Sequence, residues 1–146
     1  MGAMRSSTLS AIDDALTERI IGAAIAVHKY LGPGLLEGLY QMALAIELGR
    51  LDIPHRTESS CSVRYHGLPL GEQRLDLVVD ARVVVEMKAL DALAQVHRAQ
   101  LLTYLKASGL PIGLLINFGT EHIQVRRVLC TPHSNSSSLR SSAPPS

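Results

Sequence analysis

The hydrophobic positions in the first part of the chain recur with the period of an α-helix. Apolar residues appear at steps of three and four at Leu16, Ile20, Ala23, Ala24, Val27 and Leu31. This spacing predicts a helix with one apolar face, which begins at Asp13 or Asp14 and ends at the Gly-Pro-Gly of 32–34. A second helix is predicted from about Leu35 to about Leu51, with a buried face at Leu36, Leu39, Ala43, Ile46 and Leu48.

From residue 55 onward, apolar and polar positions alternate, which is the period of β-strands. Strands are predicted at 55–65, 72–79, 83–88, 112–118 and 122–128. The segment Asp80-Ala81-Arg82 is short enough for a hairpin loop, and a helix is predicted from about Ala92 to about Ala107. The element order ααβββαββ predicts an α/β fold, in which a mixed sheet is flanked by helices.

The two ends of the chain differ from its middle. Residues 1–12 are small and polar without a clear period, and from Thr131 the chain reads TPHSNSSSLRSSAPPS. Such a serine-rich tract buries too little apolar surface to offset the entropy of ordering it. We therefore expect a flexible N-terminus over 1–12, a single domain over 13–130 and a disordered Ser/Pro-rich tail over 131–146.

The composition excludes several classes of protein. Hydrophobic residues make up 47% of the 146 positions and charged residues 18%, with a formal net charge of +1. The apolar runs are too short to span a bilayer, and the N-terminus does not resemble a secretory signal. Two distant cysteines indicate neither a disulfide framework nor a zinc site, which favours a cytoplasmic location. The near-neutral charge does not support a general polyanion binder.

Three charged residues stand out in the predicted hairpin RLDLVVD-AR-VVVEMK. If the hairpin folds about Ala81, Asp76 lies opposite Glu86, and Lys88 shares their face. Opposed carboxylates in an apolar hairpin repel each other unless a cation lies between them, and Mg²⁺ or Mn²⁺ prefers such oxygen ligands. The alternative is that all three are surface residues in ordinary cross-strand ion pairs, and the hairpin alone favours neither interpretation.

Two helices add polar residues on single faces. His97, Gln100 and Tyr104 fall at i, i+3 and i+7, so they share one face of the predicted third helix. This stripe is either part of a site or a solvated face. Glu37 and Tyr40 share a face at the start of the second helix, where a Glu is also stabilised by the helix dipole without any further role.

Together these motifs resemble the PD-(D/E)xK nuclease superfamily. The hairpin Asp-x₉-Glu-x-Lys is followed by a helix that carries Gln, and within the superfamily the chain is similar to the small bacterial GxxExxY proteins. The matching positions are Gly34, Glu37, Tyr40, Arg74-Leu75-Asp76, Glu86-Met87-Lys88, His97, Gln100, Tyr104-Leu105 and IGLLINFG at 112–119. The resemblance covers about residues 17–128 and implies a nuclease-like mixed sheet flanked by helices.

The resemblance also implies a metal site for Mg²⁺ or Mn²⁺. Asp76 and Glu86 would bind the ion, and the backbone carbonyl of Met87 would add a ligand. Glu37 would be a further ligand or would orient a water molecule. Lys88 would position or deprotonate the attacking water and stabilise charge on the phosphate.

The remaining matched residues have supporting roles by the same resemblance. Gln100 would hold the nucleophile or the lysine, and Arg74 would contact a phosphate. His97 and Tyr104 would lie around the site, and Tyr40 is a further supporting residue.

Two functions of different classes follow from this sequence. The first is a metal-dependent nuclease that hydrolyses DNA phosphodiester bonds. The alternative is a non-catalytic nucleic-acid or protein interaction module on the same fold, which the low net charge and the 3% aromatic content favour. A homodimer would join two modest basic surfaces, for which the candidates are Arg74, Arg98, Arg126 and Arg127.

Overall fold

The computed structural model describes the backbone from Gly2 to Thr131 and the side chains from Asp13 to Thr131. The elements are α1 (Gly2–Leu31), α2 (Glu37–Arg50), β1 (His55–Tyr65), β2 (Leu68–Val79), β3 (Val83–Lys88), α3 (Gln95–Ser108), β4 (Ile112–Asn117) and β5 (Gln124–Leu129). The predicted order ααβββαββ is confirmed. Residues 2–12 belong to α1, and the flexibility expected for 1–12 stays a prediction. Of the tail expected over 131–146, only Thr131 is among the described residues.

The strands form one five-stranded mixed sheet in the order β1-β2-β3-β4-β5. Neighbouring strands are antiparallel except for β3 and β4, which are parallel and are joined by α3. Parallel neighbours require such a crossover, whereas β2 and β3 need only a tight turn. The predicted α/β architecture, a mixed sheet flanked by helices, is therefore confirmed.

Helices pack on both faces of the sheet, and each face has its own core. On one face, α1 and α2 contribute Ile20, Leu44 and Leu48, which pack against Val85 and Met87. On the other, α3 contributes Leu101 and Leu105, which pack with Leu75, Val78, Val84 and Leu115. All six residues of β4 are buried, as expected for a strand covered on both faces. Within the described part of the chain, no helix is long and apolar enough to cross a membrane.

Helix α2 buries a different face from the predicted one. Tyr40, Leu44 and Leu48 are buried, whereas Leu36 is 79% exposed and Ile46 is 64% exposed. The predicted buried face is wrong at these two positions and at Leu39, which is 46% exposed, because the buried stripe of the helix runs through Tyr40, Leu44 and Leu48. The predicted apolar face held aliphatic residues only and did not include Tyr40.

Strands β1 and β2 extend beyond the sheet as a two-stranded ribbon. They pair from His55–Val79 out to Tyr65–Leu68, but β3 pairs with β2 only at Leu77, Val78 and Val79. The base of the ribbon packs on α3 through Cys61 and Leu75. Its tip exposes large apolar side chains, which are Tyr65, Leu68 and Leu70.

Candidate functional site

The hairpin between β2 and β3 has the predicted register about Ala81. Val79 pairs with Val83 and Leu77 pairs with Val85, and the tight loop places Ala81 at a φ of 54°, in the left-handed region. Beyond Leu77 the carboxylate of Asp76 replaces the backbone as partner, since its Oδ2 accepts the Met87 N–H at 3.0 Å. The register thus brings Asp76 to Glu86, as predicted.

Glu86 is a buried carboxyl group with an incomplete set of partners. Its residue is 6% exposed, and its Oε1 makes no hydrogen bond to any described residue. The other oxygen, Oε2, lies 3.8 Å from Lys88 Nζ. Burial, followed by the charge of Asp76, raises the pKa of Glu86 to about 8, although Lys88 acts in the opposite direction. An orphaned buried carboxylate oxygen beside a second carboxylate fits a hard divalent cation.

Glu37 approaches this pair from the first turn of α2. The pKa of Glu37 is raised, mainly by partial burial. The charge of Lys88 opposes this shift, Asp76 adds to it, and His97 opposes it. These charges show that α2 faces the end of the hairpin and the start of α3. Among the described residues, however, no three His, Cys, Asp or Glu side chains are arranged to hold a metal ion together. The structure therefore assembles a carboxylate pair, with Glu37 outside it in this conformation.

The polar face of α3 reaches the site through two of its three predicted residues. His97 Nδ1 accepts the Ala94 N–H at 2.9 Å, so the neutral ring carries its proton on Nε2. Burial raises the pKa of Tyr104, and the charges of Glu86 and Asp76 raise it further. Gln100 is exposed, and its side chain makes no hydrogen bond to the part of the chain that the structure describes.

Three of the four candidate basic residues lie toward opposite edges of the sheet, on β2 and on β5. Arg74 on β2 is exposed and lies 3.9 Å from Glu58, whereas Arg126 and Arg127 belong to β5 at the opposite edge. Arg127 donates a hydrogen bond to Asp14. The sequence could not predict this separation, because it depends on the order of the strands.

Tyr40 holds the loop that precedes Glu37. Its hydroxyl donates to the Gly32 carbonyl at 2.6 Å and accepts the Leu35 N–H at 3.1 Å. Its ring is stacked on Phe118 at 4.7 Å between centroids. Gly34 within this loop has a φ of 109°, a conformation that favours glycine. The spacing Gly34-x-x-Glu37-x-x-Tyr40 therefore corresponds to a loop, a helix start and the side chain that fixes both.

Asn117 at the end of β4 holds the segment that follows Lys88, a role that the sequence reasoning missed. Its Oδ1 accepts the Leu90 N–H at 2.9 Å, and its Nδ2 donates to the Leu90 carbonyl at 3.0 Å. The Phe118 N–H donates to the Lys88 carbonyl at 2.8 Å. A Cβ on Gly119 would lie 2.4 Å from the Leu90 oxygen, so the two segments need glycine there. The available signal was a polar residue at the end of the apolar run IGLLIN.

Gln41 is a second residue that the sequence reasoning missed. Its Nε2 donates to the backbone carbonyl of Asp76 at 2.8 Å, across 35 positions of sequence. One turn separates it from Glu37, so α2 reaches the carboxylate pair through a neutral side chain as well as an acidic one. No local pattern could have found this contact.

Comparison with known families agrees with the hairpin and the sheet. The family model described as the PD-(D/E)XK nuclease superfamily matches residues 14–128. The chain belongs to this superfamily. The five-stranded mixed sheet between helices is consistent with the PD-(D/E)XK fold. The superfamily is described as one of nucleases, and PD-(D/E)XK nucleases generally use divalent metal ions.

One solved structure supports the fold independently. A chain described as the crystal structure of SSO0001 superposes with a TM-score of 0.51 at 18% identity, over 71% of this PD-(D/E)XK chain. The match spans 55% of that protein's length. At this identity the likeness concerns the fold alone. No curated protein matches the sequence.

Proposed function

We propose that this protein is a metal-dependent nuclease that hydrolyses DNA phosphodiester bonds, with Mg²⁺ or Mn²⁺ bound by Asp76 and Glu86. The observation that carries the proposal is the buried Glu86 Oε1, which lacks a partner among the described residues beside a second carboxylate. When both carboxyl groups are ionised, this arrangement is costly for a folded protein unless a cation lies beside them.

The side chains around the pair supply the other requirements of phosphodiester hydrolysis. A divalent ion supplies the positive charge that activates water and neutralises the phosphate. Asp76 and Glu86 bind the ion, and the Met87 N–H holds the Asp76 carboxylate in place. Lys88, 3.8 Å from Glu86, directs its ammonium group to the attacking water or the phosphate.

Four further residues complete the proposed site. The Met87 carbonyl adds a ligand, and Glu37 orients the water or joins the ligand set after a small movement. Gln100 holds the nucleophile or Lys88 when substrate is bound. Arg74 contacts a phosphate along the ribbon, where it is exposed.

We further propose that the protein belongs with the small bacterial GxxExxY proteins. The spacing has a structural explanation in this chain. Gly34 has a positive φ in the loop, Glu37 begins α2, and the Tyr40 hydroxyl donates a hydrogen bond back to the loop. A cytoplasmic location and a homodimer stay predictions, and light scattering of the purified protein tests the second of these.

A cleavage assay tests the nuclease proposal. Plasmid, linear and branched DNA are incubated with the wild type, Lys88→Ala and Lys29→Ala in Mg²⁺ or Mn²⁺. Lys29 is an exposed lysine of α1 and serves as the matched control. We expect Lys88→Ala to lose on the order of 100-fold or more of the cleavage rate, with Lys29→Ala close to wild type. Equal cleavage by wild type and Lys88→Ala would exclude catalysis at this site.

The second candidate function is a non-catalytic interaction module on the nuclease fold. It is favoured by the absence, within the described residues, of a three-residue ligand group. Calorimetric titration with Mn²⁺ separates the two functions. Binding that Asp76→Ala abolishes supports the nuclease, whereas no binding by the wild type supports the module.

A further inference from the structure

Asp76 lies where β2 has no ladder pair with either neighbouring strand. Its pairing with β1 passes from Thr57–Leu77 to Ser59–Leu75, and the residue opposite, Glu58, has a φ of 58°. On the other side, the pairing with β3 ends at Leu77. The backbone at Asp76 therefore lacks the regular support that fixes the rest of β2.

Gln41 supplies a bond at this position. Its side-chain amide donates to the Asp76 carbonyl at 2.8 Å, and the residue is half-buried on α2. The helix itself is anchored by the buried side chains of Tyr40 and Leu44 on either side of Gln41. The amide thus ties an unsupported strand position to a well-anchored helix.

The side-chain carboxylate of Asp76 makes a second hydrogen bond, to β3. Asp76 Oδ2 accepts the Met87 N–H at 3.0 Å, directly beside Glu86. A rotation of the Asp76 backbone would move the carboxylate away from both groups. Displacement of a catalytic group by about 1 Å is enough to cost on the order of 100-fold in rate.

We propose that Gln41 is a positioning residue, whose amide fixes the Asp76 backbone so that the carboxylate stays on the Met87 N–H and beside Glu86. This positional role holds in the metal-free protein. Its effect on metal binding and on cleavage rests on the proposed function. Polar groups behind metal ligands commonly change metal affinity by about 10- to 100-fold.

Amide hydrogen exchange at Met87, measured by NMR in the metal-free protein, tests the positional role. Gln41→Met and Gln41→Glu keep the length of the side chain and remove the N–H donor, whereas Gln41→Lys keeps a donor. Gln73→Met is the matched control, because the Gln73 amide makes only a long 3.5 Å contact with the adjacent Arg74 carbonyl. Two donor-free variants are used so that the test still decides the question if one of them does not fold.

We expect Met87 exchange to accelerate about 10-fold or more in the donor-free variants, with Gln41→Lys and Gln73→Met near the wild-type rate. Unchanged Met87 exchange overturns the proposal. Equal acceleration at Val84, in the middle of β3, also overturns it, because the effect would then be general destabilisation.

Mn²⁺ affinity, measured by electron paramagnetic resonance, and steady-state kinetics test the functional effect. Gln41→Met, which adds no charge, should bind Mn²⁺ about 10-fold more weakly, with a lower kcat and an unchanged KM for DNA. If the wild type neither binds Mn²⁺ nor cleaves DNA, the proposed function fails, while the Met87 exchange still decides the role of Gln41.

Discussion

Glu86 is the side chain whose surroundings point most directly to a bound cation. Its carboxyl is buried beside Asp76, and these surroundings raise its pKa to about 8. Near neutral pH the metal-free group therefore retains its proton, which a bound cation would have to displace. The same side chain disfavours the folded state whenever it is ionised without a cation.

The stability of the metal-free protein should depend on pH through this group. Because the folded pKa is raised above the unfolded value near 4.5, the stabilising contribution is complete below that value and is lost as pH rises through about 8. Glu86→Gln removes this loss. We expect it to exceed the wild type by about 1–3 kcal/mol at pH 8 or above.

Urea unfolding in EDTA at a series of pH values measures this difference. The matched control is Glu18→Gln, which changes an exposed carboxylate on α1 and should stay within about 0.5 kcal/mol of wild type. A difference between Glu86→Gln and wild type that shrinks as pH rises would contradict the assignment.

The residues of the site differ in how far the sequence could predict them. Asp76, Glu86 and Lys88 were predictable because charge within an apolar hairpin is conspicuous, and the register follows from a local turn. Gln41 and Asn117 were not, because their partners lie 35 and 27 positions away. Their side chains follow no period, and only the folded chain brings them to their partners.

Helices and strands were predictable where local pattern decides them, and less so where tertiary contacts do. The hairpin and the element order agree with the sequence pattern. The buried face of α2 does not, because the Tyr40–Phe118 contact joins two distant segments. The segment after Lys88 is likewise fixed from outside, by the turn that follows β4.

Gly119→Ala tests the close approach between these two segments. Its Cβ would lie 2.4 Å from the Leu90 oxygen, and the three nearest atoms all belong to the backbone of Ala89 and Leu90 rather than to a flexible side chain. We expect a loss of about 1–3 kcal/mol in the free energy of unfolding and weaker protection of the Leu90 amide.

Gly22→Ala provides the contrast in thermal or urea unfolding. Nothing lies within 4 Å of a Cβ at this exposed position in α1, so the added methyl should stabilise the helix by about 0.5–1 kcal/mol. Equal effects of the two substitutions would mean that the conformational freedom of glycine, rather than the Leu90 contact, determines the effect at Gly119.

The complete site exists only in the assembled molecule. Strands β2 and β3 supply the carboxylates and Lys88, α2 supplies Glu37 from one layer, and α3 supplies His97 and Tyr104 from the other. The site lies where the two helical layers meet at the end of β3. A ligand held by Asp76 and Glu86 would need the folded hairpin, so its binding should be coupled to global stability.

Mn²⁺ should therefore raise the melting temperature of the wild type. At about 100 times the dissociation constant, the expected gain in unfolding free energy is about 2.7 kcal/mol. The gain should be larger at pH 8 than at pH 6, since Glu86 must lose its proton. Differential scanning calorimetry with Mn²⁺ or EDTA measures it, and an equal shift in Asp76→Ala would place the ion elsewhere.

The β1–β2 ribbon adds a mechanical property to this arrangement. β2 leaves the sheet at Asp76, beside the interruption at Glu58, and continues to its tip at Leu68. The base of this arm is held on α3 by Cys61 and Leu75. A load on the exposed tip should therefore bend the ribbon between Gln73 and Leu68, a length of roughly 17 Å at about 3.3 Å per residue. The relative position of Asp76 and Glu86 should then stay unchanged.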